Sequence, residues 1–412
     1  MREELIHGIT AAGLGSTVRV KPTYGSAADQ TDIASVTEVP PASNRNDAQR
    51  DGELSAEAGR LIEPIVQELA ALGPANWERF TAVFAIAGPA EVAQLSFFRA
   101  KESVPVQVPV EVMGLVREHR AIAGRMSAGP WWRMRLAVDN RGQVSEQFDY
   151  GDEPFPADQL FRPEDYRADI EALPRSRVPV WLAGYIAGPS AQGRDPDEAA
   201  ASAHADSGAG ISEVRTDDIV PLEEAWSRWA VLAAVRAGMG KPVGAWIEPA
   251  VASYENGDGS GSTLCVLPRD RAVLSGGLWN SPLLDPAYNG AGALPALYAG
   301  APEWVNDSVL NVRAQRGALS FCYWWHDGQW YRGGTNTFDE LDDPLPVIWT
   351  DDETVDAIVR EVGEDRRDRV MQLVAAANTR SISKGDLVTV LSDADADIDA
   401  AYSQLSLAGL AA

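Results

Sequence analysis

The residue types that most often carry catalysis or bind transition metals are scarce in this sequence. It contains four histidines and two cysteines, Cys265 and Cys322. No two histidines have the spacing of metal ligands, and the cysteines do not form a C-x-x-C pair. Cys322 and His326 share one face of a predicted strand, but at roughly 3.3 Å per residue they lie about 13 Å apart. The sequence therefore predicts no metal site, no cofactor and no catalytic dyad, and it predicts two buried, reduced thiols.

Three short motifs resemble ligand-binding loops only in part. GDGSGS (257–262) lacks the G-K-[ST] ending of a phosphate loop, and GLGSTV (13–18) lacks the third glycine of a dinucleotide fingerprint. DADADID (393–399) has acids at alternate positions, but Ile398 and Gln404 stand where a calcium loop needs glycine and glutamate. Turns and an acidic helix start are the predicted structures.

Acids and tryptophans are the residue types in excess. The chain has 60 acidic and 35 basic residues, a formal net charge of -25 and 13 tryptophans. This charge disfavours nucleic acid and anionic membranes as partners and favours a basic protein, although solubility alone also explains it. No apolar run is long enough to predict membrane insertion.

A tryptophan-rich hairpin is the clearest local pattern. Trp132, Met134, Leu136 and Val138 alternate with other residues, a turn follows at 139–142, and the chain returns through Phe148. Around this hairpin the patterns predict a helix from Ser55, strands at 77–88 and 91–100, and helices at 110–126 and 162–175. These elements predict an α+β domain over 54–186.

The rest of the chain divides by composition. Residues 1–53 are expected to be a disordered or loose arm, 187–216 a flexible linker, and 217–412 a second α+β domain with a helical C-terminus. The fold class is therefore α+β, with two domains that each pack helices on an antiparallel sheet. A second tryptophan-rich hairpin (321–334) is either a duplication of the first or a chance likeness. The elements predicted in the second domain are a helix at 221–238, strands at 244–254, 264–267, 307–313 and 319–326, and helices at 354–362, 366–378 and 383–407.

Two sets of residues are candidates for contact with a protein partner. Adjacent strand residues point to opposite faces, so we expect Trp132 in the core and Trp131 at the surface. Exposed aromatic residues beside acids are typical of protein interfaces. The first set lies at the hairpin and its exit: Trp131, Asp149, Tyr150, Asp152 and Glu153. The second set follows the second hairpin: Asp339, Glu340, Asp342 and Asp343.

Residues 55–185 resemble the YezG-like family of bacterial immunity proteins. The likeness rests on NWERFTAVFAIAG with Trp77 after a helix, on QLSFFRA with Phe97 and Phe98, and on PWWRMRLAVDNRGQVSEQFDYGDE followed by RPEDYRADIEALPR. The resemblance implies a small α+β fold that neutralises a secreted toxin by tight binding, without catalytic residues. The N-terminal arm and the C-terminal half lie outside it.

We therefore expect a cytoplasmic, non-enzymatic immunity or antitoxin protein that blocks a basic secreted toxin. The composition is typical of a bacterium with GC-rich DNA, such as an actinobacterium. One alternative is a secretion-associated adaptor of a type VII secretion locus, in which the second domain recognises cargo. Another is an enzyme in the C-terminal half, whose site the loops 255–262 and 281–295 would line.

Overall fold

The protein folds as two α+β units. The computed structural model describes residues 42–175, 177–188, 191–305, 310–334, 341–392 and 395–412. Contacts divide the chain between Arg175 and Ser176. Each unit contains one antiparallel sheet with packed helices, which confirms the predicted fold class.

The first unit is built on a five-stranded sheet in the order β3-β2-β1-β4-β5, with every neighbouring pair antiparallel. Its elements in chain order are α1 (Ala42–Gly59), α2 (Ile62–Ala71), β1 (Arg79–Ala87), β2 (Ala90–Arg99), β3 (Glu102–Val106), α3 (Val110–Ala123), β4 (Arg133–Asp139), β5 (Val144–Asp149) and α4 (Pro163–Ala172).

Strand alternation places one face of this sheet in the core. Phe80, Ala82 and Phe84 of β1 pair with the buried side chains of β4 and pack against apolar residues of α2 and α3. Met134, Leu136 and Val138 are buried, as the period-two pattern predicts. The hairpins β1–β2 and β4–β5 are both confirmed.

A buried carboxylate fixes α4 to the rest of the first unit. Asp169 accepts hydrogen bonds from Arg120 of α3 at 2.8 Å, from Arg175 at 3.4 Å and from the Gly88 N–H at 2.9 Å. Arg120 also donates to the Trp131 carbonyl at 2.9 Å, and the Arg175 guanidinium lies 3.6 Å from the centre of the Trp132 ring. One carboxylate thus joins α3, α4, the β1–β2 turn and the start of the hairpin.

The second unit is built on a seven-stranded antiparallel sheet in the order β6-β12-β11-β10-β9-β8-β7. Short 3-10 helices lie at Glu303–Val305, Val312–Arg316 and Glu364–Arg366. The longer elements in chain order are α5 (Val180–Ala187), α6 (Pro196–Gly208), β6 (Val214–Thr216), α7 (Leu222–Gly238), β7 (Ala245–Glu248), β8 (Val251–Glu255), β9 (Gly261–Leu267), β10 (Arg271–Gly277), α8 (Asp285–Asn289), β11 (Phe321–His326), β12 (Gln329–Arg332), α9 (Asp351–Val362), α10 (Arg367–Asn378), α11 (Lys384–Val390) and α12 (Ile398–Leu407).

The two faces of the second sheet carry separate cores. Helix α7 and the C-terminal helices pack on one face with Trp325, while Trp324 belongs to the cluster on the other face with Leu297 and Leu319. Both members of this tryptophan pair are therefore buried. Asp327 and Gly328 form the two-residue turn of β11–β12 with φ values of 50° and 74°, as a type I′ turn requires.

Three boundaries predicted from composition are wrong. Residues 42–53 are helical and not a loose arm, because α1 buries Leu54 and Ala58 against Ile122 of α3. Helix α6 and strand β6 occupy most of the predicted linker, and β6 pairs with β12. Residues 177–186 belong to the second unit and not to the first.

Smaller differences lie within the second unit. In the described part of the predicted strand at 307–313, a 3-10 helix begins at Val312. The predicted helix at 383–407 is two helices, α11 and α12. Strand β10 has no counterpart among the predictions. It ends in Gly276 and Gly277. A Cβ added at Gly277 would lie 2.1 Å from the Ala318 carbonyl oxygen, so the backbone approaches closely there and the end of the strand has no side chains that would indicate a strand.

Removing the Asp169 carboxylate tests its role in the fold. Asp169→Ala leaves two buried guanidinium groups without their shared acid, so we expect the free energy of unfolding to fall by about 3–5 kcal/mol. Glu91→Ala removes the acid of the exposed Arg117–Glu91 pair and should cost about 0–1 kcal/mol. Denaturant unfolding of both variants measures the difference, and equal losses would contradict the central role of Asp169.

Candidate protein-binding surface

Trp131 is buried, so its prediction as an exposed contact residue is wrong. It is 0% exposed, and its indole N–H donates to Nδ1 of His119 at 3.1 Å. Trp131 and Trp132 immediately precede β4. The Trp131 ring packs against residues of α3 and β5, and the Trp132 ring packs against α4. Strand alternation separates the two rings but leaves neither on the surface.

His119 is held neutral beneath the hairpin. Burial lowers the pKa of its imidazole to about 4. The ring stacks on Phe148 of β5 at 5.1 Å between centroids and accepts the Trp131 hydrogen bond. Trp131 and His119 pack against Phe148 on the core side of β5, and both are buried, so neither side chain is available for contact with another protein.

Asp149 shapes the exit of the hairpin and is not an exposed contact, so this prediction also needs correction. The residue is 7% exposed. Its carboxylate accepts two hydrogen bonds from Arg133 and one from the Gly151 N–H at 2.8 Å, and Arg135 lies 3.8 Å away. Arg133 also donates to Gln159 at 2.9 Å. The carboxylate is thus used inside the first unit to turn the chain after β5.

The rest of the predicted exit lies at the surface. Tyr150 is half-buried against the first core, while Asp152 and Glu153 are exposed. Local desolvation raises the pKa of the Asp152 carboxyl, and the neighbouring charges of Asp149 and Glu153 raise it further. These acids repel one another in the free protein, and a cation placed among them would remove that repulsion.

Strand β5 forms one edge of the five-stranded sheet. The Asp139 N–H donates to the Gln143 carbonyl, and this bond determines which residues of β5 form hydrogen bonds with β4 and which point away from it. Ser145 and Gln147 therefore bond to β4, whereas Val144, Glu146 and Phe148 turn their N–H and C=O groups outward. Within the described part of the first unit, nothing bonds these outward groups.

Glu146 is the residue that sequence reasoning missed. It lies on the core side of β5 between Val144 and Phe148, half-buried, and burial raises the pKa of its carboxyl. No cation or hydrogen-bond donor among the described residues pairs with this carboxylate. An acid at an inward position of an edge strand was the available signal, since inward positions of a strand are normally apolar.

The second predicted patch lies in the second unit. Asp339 and Glu340 fall outside the described residues, whereas Asp342 and Asp343 are described and exposed. Asp343 accepts a hydrogen bond from Asn256 at 2.9 Å. Burial raises the pKa of Tyr254, and the charge of Asp343 raises it further. Asp343 therefore connects its own segment to the loop after β8 besides facing solvent.

The two loops of the enzyme alternative, 255–262 and 281–295, lie in the second unit. The described residues contain no group of three or more potential metal ligands, and burial raises the pKa of the Cys265 thiol to about 11. Both cysteines are free and buried, as predicted. A cavity of about 610 Å³ in the second unit is lined by Arg194, Glu198 and Tyr298. It takes Leu294 and Pro295 from the loop 281–295, and its lining has no described residue of the loop 255–262.

Comparison with known proteins adds no assignment. No protein-family model and no curated protein matches the sequence. The resemblance to YezG-like immunity proteins therefore stays a prediction. Among the described helices, none is long and apolar enough to cross a membrane.

The neutral state of His119 predicts a pH dependence of stability. Its pKa in the folded protein is below the ordinary 6.5, so the unfolded chain binds more protons and stability falls as pH drops from about 6.5 to about 4. His119→Gln keeps an acceptor for Trp131 and cannot protonate, so up to about 3 kcal/mol of this loss should disappear. Unfolding titrations of both proteins across this range measure the difference, and parallel curves would contradict it.

The unpaired state of Glu146 predicts a gain in stability on neutralisation. Its raised pKa means that folding disfavours the charged form, so stability falls as pH rises through that pKa. Glu146→Gln should therefore be more stable than the parent at neutral pH and equal to it in acid. Glu78→Gln, at an exposed acid just before β1, is the matched control and should change nothing. A Glu146→Gln protein that is less stable at neutral pH would indicate a cation partner for Glu146.

Proposed function

We propose that the protein is a non-enzymatic, cytoplasmic immunity protein that inhibits a basic secreted toxin by binding it at the outer edge of the first unit. The observation that carries the proposal is the half-buried Glu146, which has no partner among the described residues and lies on the edge strand that leads to the exposed acids Asp152 and Glu153. A half-buried carboxylate without a cation is disfavoured in the free protein, and a partner that supplies a cation would relieve that cost.

The chemistry of this edge suits a basic protein. A lysine or arginine brought to Glu146 or Asp152 would stabilise the charged form that the free protein disfavours. Phe148 and Tyr150, both half-buried, add aromatic surface beside these acids. The net charge of -25 adds long-range attraction and speeds the encounter with a basic toxin at low salt.

Inhibition without chemistry is consistent with the described residues. Among the described residues, no histidine or thiol forms a hydrogen bond with Asp152 or Glu153, and His119 is buried and neutral. A binding role needs the surface to be complementary and the support to be rigid. The His119–Trp131–Phe148 stack supplies that support.

Co-expression tests the toxin proposal directly. The full chain, with an affinity tag, is co-expressed with each basic secreted protein encoded by neighbouring genes. We expect it to rescue growth against one of them and to retain that protein in a pull-down. Failure to rescue or to retain any of them would overturn the proposed function.

Neutralising the exposed exit acids tests where the toxin binds. The double variant Asp152→Ala and Glu153→Ala should slow association by about three- to tenfold at low salt, because charges near an interface act mainly on the association rate. Glu68→Ala with Glu78→Ala changes the net charge equally at exposed acids elsewhere in the first unit. Stopped-flow or biosensor kinetics with the captured toxin compare the two. Equal slowing in both would assign the effect to overall charge and contradict a site at the exit.

A further inference from the structure

Strand β5 differs from the other three edges of the two described sheets in its open row of backbone groups. The ladder leaves three N–H and three C=O groups of Val144, Glu146 and Phe148 pointing outward, with no partner in residues 42–175 as described. An exposed row of this kind is a template for an added strand. Edges that must stay free of partners usually carry a device that prevents such pairing.

The opposite edge of the same sheet carries such a device. In β1 the Ile86 N–H donates to the Trp132 carbonyl, so even-numbered residues of β1 bond β4 and odd-numbered ones bond β2. The odd-numbered residues of β2 therefore bond the even-numbered residues of β3. The backbone groups of Ser103 and Pro105 in β3 consequently point outward. Proline has no N–H to offer an added strand, so the β3 edge is blocked at its centre.

The edges of the second sheet are also protected or short. At β7 the Ile247 N–H donates to the side chain of Gln404 in α12 at 2.7 Å, so a helix covers that edge. At the other end β6 is only three residues long, Val214–Thr216. Among the described strands, β5 therefore combines length with free backbone groups, and its protective feature is the inward-facing charge of Glu146, which disfavours an added strand without a basic residue opposite it.

Side chains along β5 define what an added strand would carry. Val144, Glu146 and Phe148 face the core side, and Val144 is 37% exposed there. A neighbouring strand would place alternate residues over these three positions, and cross-strand pairs favour apolar residues at the ends and a basic residue opposite Glu146. The matching pattern is apolar-x-basic-x-apolar. Ser145 and Gln147 on the other side are exposed and polar and impose no comparable demand.

Charge also selects between a foreign strand and a second copy of this chain. Antiparallel pairing of two β5 strands centred on Glu146 would place the two unpaired carboxylates opposite each other, which destabilises the pair. Asp152 and Glu153 follow at the end of the same strand and add to the repulsion. A basic strand would place no carboxylate opposite Glu146, so this repulsion would be absent.

We propose that β5 binds an extended basic segment of the partner as a sixth strand of the first sheet, with an arginine or lysine opposite Glu146. The inference rests on the proposed function in that the partner is basic, and it specifies how that partner is recognised. Main-chain hydrogen bonds provide affinity in this mode, and the alternate side chains provide specificity.

A cyclic hairpin that displays one strand is the probe. Its outer strand carries valine, arginine and valine at alternate positions with threonine between them. We expect the full chain to bind it and amide hydrogen exchange over residues 144–148 to slow. The matched probe is N-methylated at the outward-facing amides, has the same charge and should bind more than about tenfold less tightly, because it lacks the strand donors. Equal binding of both probes would overturn the added strand.

Two variants separate backbone pairing from charge. Glu146→Pro removes an outward N–H and should abolish binding of the hairpin, while Glu146→Gln keeps the edge and should weaken binding about two- to fivefold. Glu78→Gln is the matched control and should bind as the parent does. If circular dichroism shows Glu146→Pro to be unfolded, Glu146→Gln and the N-methylated probe still decide. Parental affinity in Glu146→Gln would overturn the pairing of Glu146.

The outcomes distinguish this inference from the proposed function. A toxin that binds the chain without slowing exchange at 144–148 overturns the added strand and leaves the inhibitor function intact. Slowed exchange with the hairpin, but no binding to any toxin, supports the strand site and removes the toxin function. Exchange at 144–148 that speeds up on dilution of the free chain would assign the edge to a second copy and overturn the inference.

Discussion

The first unit depends on one buried carboxylate that holds two arginines. Asp169 lies where α3, α4 and the β1–β2 turn converge, and each of these elements ends or bends near it. Apolar packing alone would leave α4 free to slide along the sheet, because burial is not directional. The ion pairs give it a defined position, and with it the start of β4 at Trp131 and Trp132.

Two acids of the same strand have opposite environments. Asp149 is buried, and its carboxylate is paired with the guanidinium of Arg133. Glu146 is half-buried without a partner in the described residues, so its charge opposes the fold. Proteins that keep an unfavourable group at the surface of a stable scaffold commonly use it for function. This contrast separates the structural acid from the candidate contact, and neither type nor spacing in the sequence does so.

Local patterns predicted the elements of the first unit well and its surface poorly. The alternation from Trp132 to Val138 identified a strand and its buried face, because period-two burial is a local property. The fate of Trp131 depended on α3 and β5, which lie far apart in sequence. The composition of residues 196–208, rich in alanine and serine, wrongly predicted a linker where the chain forms α6. Asp195 and Glu198 make a capping box at the start of this helix, and Ala199 is buried. Glu146 required the strand order, since β5 is an edge only because β4 returns beside β1.

The proline at the outward face of β3 has a consequence for stoichiometry. A sheet with two open edges can join copies or partners in series and grow into a filament. Here one edge lacks the donor that growth would need, and the other presents a single run of outward groups. The first sheet therefore offers one edge, and not two, to the added strand proposed above.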